Sequence, residues 1–240
     1  MLFRSKEKQN KNGTFDFCLK TMLPKSILPI QIEPEIIPKE FLLETQYCVL
    51  VKVEDGEYDI CEKTSKLWWA SSKRGAYGKG LLNTKDDPAK TERTGLLGQM
   101  AFAKITNEPV DLEYRHGGDK YDFLISGKYK IDIKCASHDY GKNLIQKTNE
   151  YGYPQKIDKH LYVGSFIDRE DRSNKTASIV LVGYYLQEEV LRANTARGCK
   201  GNGHFNYELQ FHRMRPIMKL IDKIKNYKLN SQVSFCEESK

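Results

Sequence analysis

Residues 117–136 read GGDKYDFLISGKYKIDIKCA, and the way this stretch folds back on itself decides the fold of the chain. Aromatic and β-branched residues alternate with polar ones over 121–125 and again over 129–135, a pattern typical of strands. The glycine of ISGK supplies a turn between them. The stretch therefore predicts a β-hairpin. Side chains alternate between the faces of such a hairpin, so the length of its turn decides which of them meet.

Two acidic residues, Asp122 and Asp132, lie within the predicted hairpin. A two-residue turn would send them to opposite faces. A three-residue turn at 126–128, with Gly127 or its neighbour in a left-handed conformation, would place them opposite each other with Cβ atoms about 5 Å apart. At that separation two carboxylates repel, yet they can hold a hard divalent cation. Lys134 points the same way as Asp132, so this turn would set an ammonium group beside a cation site.

That combination suits hydrolysis of a phosphodiester. A divalent metal polarises the phosphoryl oxygen and lowers the pKa of a bound water, while a lysine orients the water and offsets negative charge. The alternative is a surface hairpin whose acids have no role. The net charge of +7, from 39 basic against 32 acidic residues, suits a polyanionic partner such as nucleic acid but does not require one.

Around the hairpin, apolar periodicity predicts both helices and strands. TGLLGQMAFAKI at 94–105 repeats apolar residues at helical spacing. HLYVGSFI at 160–167 and ASIVLVGYYL at 177–186 read as strands. The segment NYELQF predicts one more strand, and residues 217–227 predict a last helix.

The chain is expected to divide into three parts. Four prolines between residues 24 and 38 exclude a continuous helix there, so residues 1–66 are expected to be an N-terminal appendage with extended, proline-rich segments and one strand at 45–53. Residues 67–228 are expected to form the core. Residues 229–240 are expected to be a polar tail.

Two basic, glycine-bearing stretches are candidate nucleic-acid contacts. The first, SKLWWASSKRGAYGKGLLNTKDD, is expected to be a loop, and the second is ARGCKGNGH. Either could equally be a plain surface loop. The residues expected to meet phosphates are Lys73, Arg74, Lys79, Arg197 and Lys200.

With these residues in view, the chain resembles the PD-(D/E)xK nuclease superfamily, whose fold is restriction-endonuclease-like. The likeness runs from GLLGQMAFAKI through GGDKYDF to KIDIKCA, and more loosely through HLYVGSFI and IVLVGYYL. It implies an α/β fold with a central mixed sheet of four to five strands flanked by helices. It also implies that Asp122, Asp132 and the carbonyl of Ile133 bind Mg²⁺, for which Mn²⁺ would substitute. Lys134 would position or activate the attacking water.

The chain departs from the family pattern at two points. Where the family's helix offers glutamate in a GxxGE context, this chain has Gln99, a catalytic candidate that can hydrogen-bond a metal-bound water but carries no charge. Gln99 could be a ligand or could act on the ligands from outside, and the missing charge could mean one metal rather than two. The proline expected before the first aspartate is also absent, which leaves Asp119 as an alternative to Asp122.

The resemblance implies an endonuclease of restriction or phage type that acts on DNA, expected to be double-stranded. The alternatives are a catalytically weakened nucleic-acid-binding protein on the same fold, an RNA-cleaving nuclease, and a protein-interaction module. A homodimer would suit cleavage of both strands of a duplex. No apolar run approaches the ~20 residues of a membrane span, and residues 1–13 have no hydrophobic signal core, so a cytoplasmic protein is expected.

Overall fold

The chain folds as a combination of α-helices and a mixed β-sheet, so the predicted α/β class is confirmed. The structure is a computed structural model. It describes residues 35–38, 47–74, 86–113, 121–149, 151–198 and 204–237. The compact unit to which these residues belong spans Pro34–Lys240.

The elements of the described residues follow one another along the chain in a fixed order. They are β1 (Glu35–Pro38), β2 (Tyr47–Val53), α1 (Asp55–Arg74), α2 (Lys90–Thr106), β3 (Phe123–Ile125), β4 (Tyr129–Ala136), β5 (Lys142–Gln146), β6 (Leu161–Asp171), β7 (Thr176–Leu186), α3 (Gln187–Leu191), β8 (Thr195–Arg197), β9 (Phe205–Gln210), a 3₁₀ turn (Phe211–Arg213), β10 (Arg215–Pro216) and α4 (Ile217–Glu237). Among these helices, none carries an apolar stretch long enough to cross a membrane.

The larger sheet has the strand order β1-β2-β7-β6-β4-β3, and the short β10 lies against β7. Strands β4 and β6 are parallel, while the other neighbours are antiparallel. The prediction of four to five strands was too low because β1 and β2 were assigned to an appendage. Strand β2 instead pairs with β7 from Val49 to Val53 and lies inside the sheet. Strand β2, from the segment predicted to be an appendage, therefore shares a sheet with strands of the predicted core.

A second sheet, with the order β5-β9-β8, covers one face of the larger one. The strand predicted at NYELQF is β9, and it pairs with β5 and β8 instead of extending the larger sheet. Apolar side chains of β5, β9 and α3 pack with those of β6 and β7 in one core. Helices α1, α2 and α4 pack on the opposite face in a separate core.

Two helices are longer than the sequence pattern indicated. Helix α1 includes the first part of the stretch predicted to be a basic loop, because Tyr58, Cys61, Ser65 and Trp68 repeat at helical spacing and turn towards the core. Helix α4 continues past the predicted end at residue 227 to Glu237, through most of the expected polar tail.

A buried arginine ties α2 to β6 and to the segment before α2. The side chain of Arg93 is 2% exposed, and its guanidinium donates to both carboxylate oxygens of Asp87, at 2.8 and 2.5 Å, and to Glu170 Oε1 at 2.7 Å. The hydroxyl of Tyr58 donates to the same Glu170 oxygen at 2.7 Å, which adds α1 to the network. Arg93 holds the pKa of Asp87 below its usual value, although partial burial opposes this.

Helix α2 comes unusually close to β4 at one glycine. A Cβ placed on Gly98 would lie 2.6 Å from Cys135 Cβ and 3.2 Å from Ser165 Oγ, so only glycine permits this approach without a shift. Gly98 directly precedes Gln99, whose side chain is thereby brought to the β4 edge of the sheet.

Replacing Gly98 with alanine should lower the free energy of unfolding by about 1–3 kcal/mol, because the added methyl must push α2 away from β4. Gly95 is a matched control on the same helix, since a Cβ there would meet nothing within 4 Å. Gly95→Ala should stabilise the protein by up to about 1 kcal/mol. Urea denaturation measures both changes, and equal effects at the two positions would contradict the close approach.

Replacing Arg93 with alanine should lower the free energy of unfolding by about 3 kcal/mol, because it removes the buried cation that two partly buried carboxylates share. Exposed Lys66, which pairs with Glu62 on α1, is the control, and Lys66→Ala should leave stability close to wild type. In the wild type, the lowered pKa of Asp87 stabilises the fold above the usual aspartate value of 3.8, and this is lost as the pH falls further. Urea titrations at pH 7 and pH 3.5 should therefore show a smaller pH dependence in Arg93→Ala.

Candidate metal and phosphodiester site

The turn between β3 and β4 has three residues, as one of the two predicted registers requires. Ile125 pairs with Tyr129, and Phe123 pairs with Ile131. Ser126 and Gly127 both have left-handed backbones, with φ of 53° and 64°. The three-residue register is therefore confirmed, and with it the expected separation of faces along β4.

Asp122 lies just before β3, beside the last residue pair of the hairpin. Its N–H donates at 2.9 Å to the carbonyl of Ile131, the residue that pairs with Phe123, so Asp122 lies against β4 where the pairing ends. One carboxylate oxygen of Asp122, Oδ2, accepts the N–H of Ile133 at 2.5 Å. The other, Oδ1, accepts a hydrogen bond from Gln99 Nε2 at 3.0 Å. The carboxylate is thus held from β4 on one side and from α2 on the other.

Gln99 contacts the site through Asp122. It is 9% exposed, and its amide nitrogen is the atom that faces the carboxylate. A donor in this place orients Asp122 and offsets part of its charge, whereas a glutamate would repel it. In this arrangement Gln99 holds a candidate ligand.

Asp132 and Lys134 form an ion pair on the other face of β4 from its apolar residues. Lys134 Nζ lies 2.8 Å from Asp132 Oδ2, and the two side chains are 35% and 13% exposed. Burial disfavours the charged ammonium, but the carboxylates of Asp132 and Asp122 outweigh it, so the pKa of Lys134 lies above its ordinary value. The lysine is therefore a cation at neutral pH, held between two anions.

The Ile133 carbonyl faces the same edge as the Asp122 carboxylate. Along β4, the carbonyl of Lys130 accepts the N–H of His160 on the β6 side, and that of Ile131 accepts from Asp122 on the β3 side. Backbone groups alternate in direction along a strand. By this alternation, the carbonyl of Ile133 points towards β3, as its N–H does.

Three polar residues that sequence reasoning missed surround this group. Tyr162 is the β6 neighbour of Asp132, is buried, and accepts the N–H of Lys159 on its hydroxyl at 3.3 Å; burial raises its pKa to about 12. Ser165 donates its hydroxyl to the carbonyl of Lys134 at 3.1 Å.

Ser165 is itself fixed by the third of these residues. The Asn143 amide accepts the Ser165 N–H at 3.2 Å and donates to the Ser165 carbonyl at 3.0 Å. These two hydrogen bonds lie at a break in the β6–β7 register between Gly164 and Ser165. Asn143 is 5% exposed and Ser165 is fully buried, so each is a polar residue inside an apolar strand pattern. That was the sequence signal that could have identified them.

One carboxylate oxygen near Lys134 is a candidate metal ligand. Asp132 Oδ2 is buried, and within the described residues it accepts no hydrogen bond of good geometry besides its ion pair with Lys134. With Asp122 and the Ile133 carbonyl it provides the oxygen ligands that Mg²⁺ prefers, and Mg²⁺ usually takes only one or two carboxylates and keeps several waters. The described part of the chain contains no cluster of three or more His, Cys, Asp or Glu side chains that could hold a metal.

The residues predicted to contact nucleic acid are not gathered by the described part of the structure. Lys73 and Arg74 belong to the last turn of α1 rather than to a loop. Arg197 is exposed at the end of β8, where it pairs with Phe205 of β9 in the second sheet. Lys79 and Lys200 lie outside the described residues, as does Asp119, the alternative to Asp122.

The chain was compared with protein-family models, with curated proteins and with solved structures. No family model matches it, and no match was found among the curated proteins or the solved structures. The roles discussed for the site residues rest on the geometry above and on the resemblance carried by the hairpin and α2 motifs.

Replacing Asp132 with asparagine should lower the pKa of Lys134, because burial then opposes the ammonium with only Asp122 left to stabilise it. An NMR titration of the lysine side-chain ¹³Cε signals in metal-free protein measures this. In the wild type, the raised pKa means that the ion pair stabilises the fold fully below the ordinary lysine value of 10.5 and that this is lost as the pH rises further. Lys175, whose pKa is raised by its hydrogen bond to Asp59 of α1, should titrate unchanged. An unchanged Lys134 would contradict the charge balance described here.

Proposed function

We propose that the protein is a Mg²⁺-dependent nuclease that hydrolyses phosphodiester bonds in DNA, built on a restriction-endonuclease-like core. The observation that carries the proposal is the convergence of Asp122, Asp132 and Lys134 at one edge of the sheet. These are the residues to which the PD-(D/E)xK resemblance gives the metal and the lysine roles. A β-hairpin, a parallel neighbour strand and a helix packed against β4 support the same core.

Asp122, Asp132 and the Ile133 carbonyl would hold the metal in this proposal. When bound, Mg²⁺ would polarise a phosphoryl oxygen and lower the pKa of a coordinated water. Mn²⁺, which accepts the same oxygen donors, is expected to substitute. The hydrogen bonds that Asp122 accepts from Gln99 and Ile133 fix the direction of its carboxylate before any metal arrives.

Lys134 acts as a hydrogen-bond donor and a fixed positive charge. Its raised pKa keeps it protonated at neutral pH, so the metal-free site presents an ammonium group rather than a base. Such a group can orient the attacking water through its oxygen and stabilise charge on the phosphoryl group. The backbone from which this side chain projects is fixed by the Ser165 hydroxyl, which donates to the Lys134 carbonyl. Ser165 is held in turn by its hydrogen bonds with the Asn143 amide.

The charge of the chain favours a nucleic acid as substrate. The net charge of +7 attracts a polyanion, and the exposed Arg197 adds a candidate phosphate contact. Duplex DNA is the proposed substrate. A homodimer would place two sites on the two strands of such a duplex.

A second candidate function is nucleic-acid binding without cleavage. The specific observation that favours it is Gln99, a neutral donor at a position where the family pattern has a carboxylate. A site with two carboxylates, one of them neutralised by Lys134, holds a metal less strongly than a site with three.

Supercoiled plasmid DNA with Mg²⁺ should be converted to nicked or linear forms by the wild type. Asp132→Asn and Lys134→Ala should each slow this by roughly 100-fold or more, because each removes a group that stabilises charge at the reacting phosphate. Lys63→Ala, which removes an exposed lysine of α1, should cut at the wild-type rate and controls for the loss of one positive charge. Gel electrophoresis of timed samples, with RNA tested in parallel, gives the rates.

Nucleic-acid binding, measured on the same proteins, distinguishes a nuclease from a protein that binds nucleic acid without cleaving it. A wild type that shifts DNA with a steep salt dependence but cuts neither DNA nor RNA in Mg²⁺ or Mn²⁺ would overturn the nuclease proposal in favour of the second candidate. A wild type that binds no nucleic acid would exclude both.

A further inference from the structure

A tight turn at residues 149–153 presents two tyrosines to solvent. Tyr151 is 76% exposed and Tyr153 is 67% exposed, the two highest values among the large hydrophobic residues of the described chain. Within the described residues, neither ring makes a hydrogen bond through its hydroxyl or an aromatic contact. Two neighbouring rings exposed to water do not contribute the favourable free energy that burial of their apolar surface would give.

The backbone of this turn is fixed although the rings are not covered. The side-chain oxygen of Asn149 accepts the N–H groups of Tyr151 and Tyr153, at 3.0 and 2.9 Å. The Asn149 N–H donates to the Tyr153 carbonyl at 2.9 Å, and the Gly152 N–H donates to the Asn149 carbonyl at 3.0 Å, with Gly152 at a φ of 85°. None of these bonds uses a tyrosine side chain, so the turn itself does not require aromatic side chains at these positions.

The segment that carries the turn leads from β5 to a neighbour of the candidate site. It begins just after β5 and is closed at its base by the Gln155 N–H, which donates to the Lys147 carbonyl at 2.7 Å. It then leads to Lys159, whose N–H donates to the hydroxyl of Tyr162, the β6 neighbour of Asp132. The segment that carries the tyrosines thus returns to the strand position beside a candidate metal ligand.

Two lysines lie at the base of the turn. Lys147 accepts the N–H of Gln155 on its carbonyl and has its Nζ 5.4 Å from the centre of the Tyr207 ring, and Lys156, the next residue after Gln155, is 84% exposed. Proteins bind single-stranded nucleic acid with exposed aromatic rings and nearby cations, because bases stack on the rings while the cations contact the phosphates. A lipid surface or an apolar protein partner would explain the exposed rings but not the lysines at the base of the turn or the link from Lys159 to Tyr162.

We propose that Tyr151 and Tyr153 stack on unpaired bases of the nucleic-acid substrate, next to the phosphate that the Asp122, Asp132 and Lys134 site acts on. The inference rests on the proposed nuclease function and deepens it, because it assigns to the site a substrate strand whose bases are unstacked there. Duplex DNA would then be engaged at an end, a flap or a locally opened step. The energy for opening the strand would come in part from stacking on the two rings.

Binding of a single-stranded oligonucleotide containing 2-aminopurine tests this inference. The experiment uses full-length Asp132→Asn protein without divalent metal, so that binding is measured without cleavage. Tyr151→Ala and Tyr153→Ala should each weaken binding by about tenfold and reduce the fluorescence change of the stacked base. Tyr151→Phe and Tyr153→Phe, which keep the ring, should stay within about twofold of the parent.

Tyr140→Ala is the matched control. Tyr140 is also exposed, at 58%, but it precedes β5, whose five residues place it about 14 Å or more from the turn along the strand. Its loss should leave binding unchanged. Because Tyr151 and Tyr153 are exposed, urea denaturation should give the same unfolding midpoint for all these variants.

The outcomes separate this inference from the nuclease proposal. If the wild type cuts DNA and the alanine variants bind and cut like their parents, the stacking inference is wrong and the nuclease proposal stands. If the wild type cuts nothing while the alanine variants lose base stacking, the nuclease proposal fails and the tyrosines still define a nucleic-acid surface. If the alanine variants change only the sedimentation of the protein, the rings cover a second copy of the chain and the inference is overturned.

Discussion

The geometry of the candidate site depends on the number of residues in the turn between β3 and β4. Three residues between β3 and β4, two of them left-handed, pair Phe123 with Ile131, and the Asp122 carboxylate then lies beside β4 and accepts the N–H of Ile133. One residue fewer would move Asp122 to the other face, because the side-chain period of a strand is two. The apolar residues of β4 face the helices while its polar residues face the second sheet, so burial of both cores enforces this register as strongly as the turn does.

The site that results is electrostatically close to balanced before any metal binds. Two carboxylates meet one ammonium group, and the remaining negative charge is directed by hydrogen-bond donors: the amide of Gln99 and the N–H of Ile133 on Asp122. A glutamate at position 99 would add a third anion within hydrogen-bonding distance of Asp122. Glutamine instead donates a hydrogen bond to Asp122 and so stabilises the metal-free arrangement. A metal would add positive charge to a site that already holds a cation.

The sequence predicted those elements whose signal is local. The hairpin, α2, β6 and β7 follow from periodicity within each segment, and the three-residue register was one of two alternatives that turn chemistry allowed. The place of β2 was missed because nothing within Tyr47–Val53 shows that its partner is β7, more than a hundred residues away. The second sheet was missed for the same reason. Within the site, Tyr162 could not be assigned because its role comes from the parallel pairing of β4 with β6, which a local pattern does not reveal.

The internal position of β2 has a consequence for how the chain reaches its fold. Val49 pairs with Leu181, so the centre of the larger sheet closes only after most of the chain has been synthesised. Contacts of such long sequence separation are formed slowly because a large loop must close first. Until β7 arrives, the apolar segment CVLVKV has an unpaired backbone on the side that β7 later covers, and such an edge favours pairing with other chains. Strand β2 is therefore open to pairing with other chains until β7 has been synthesised.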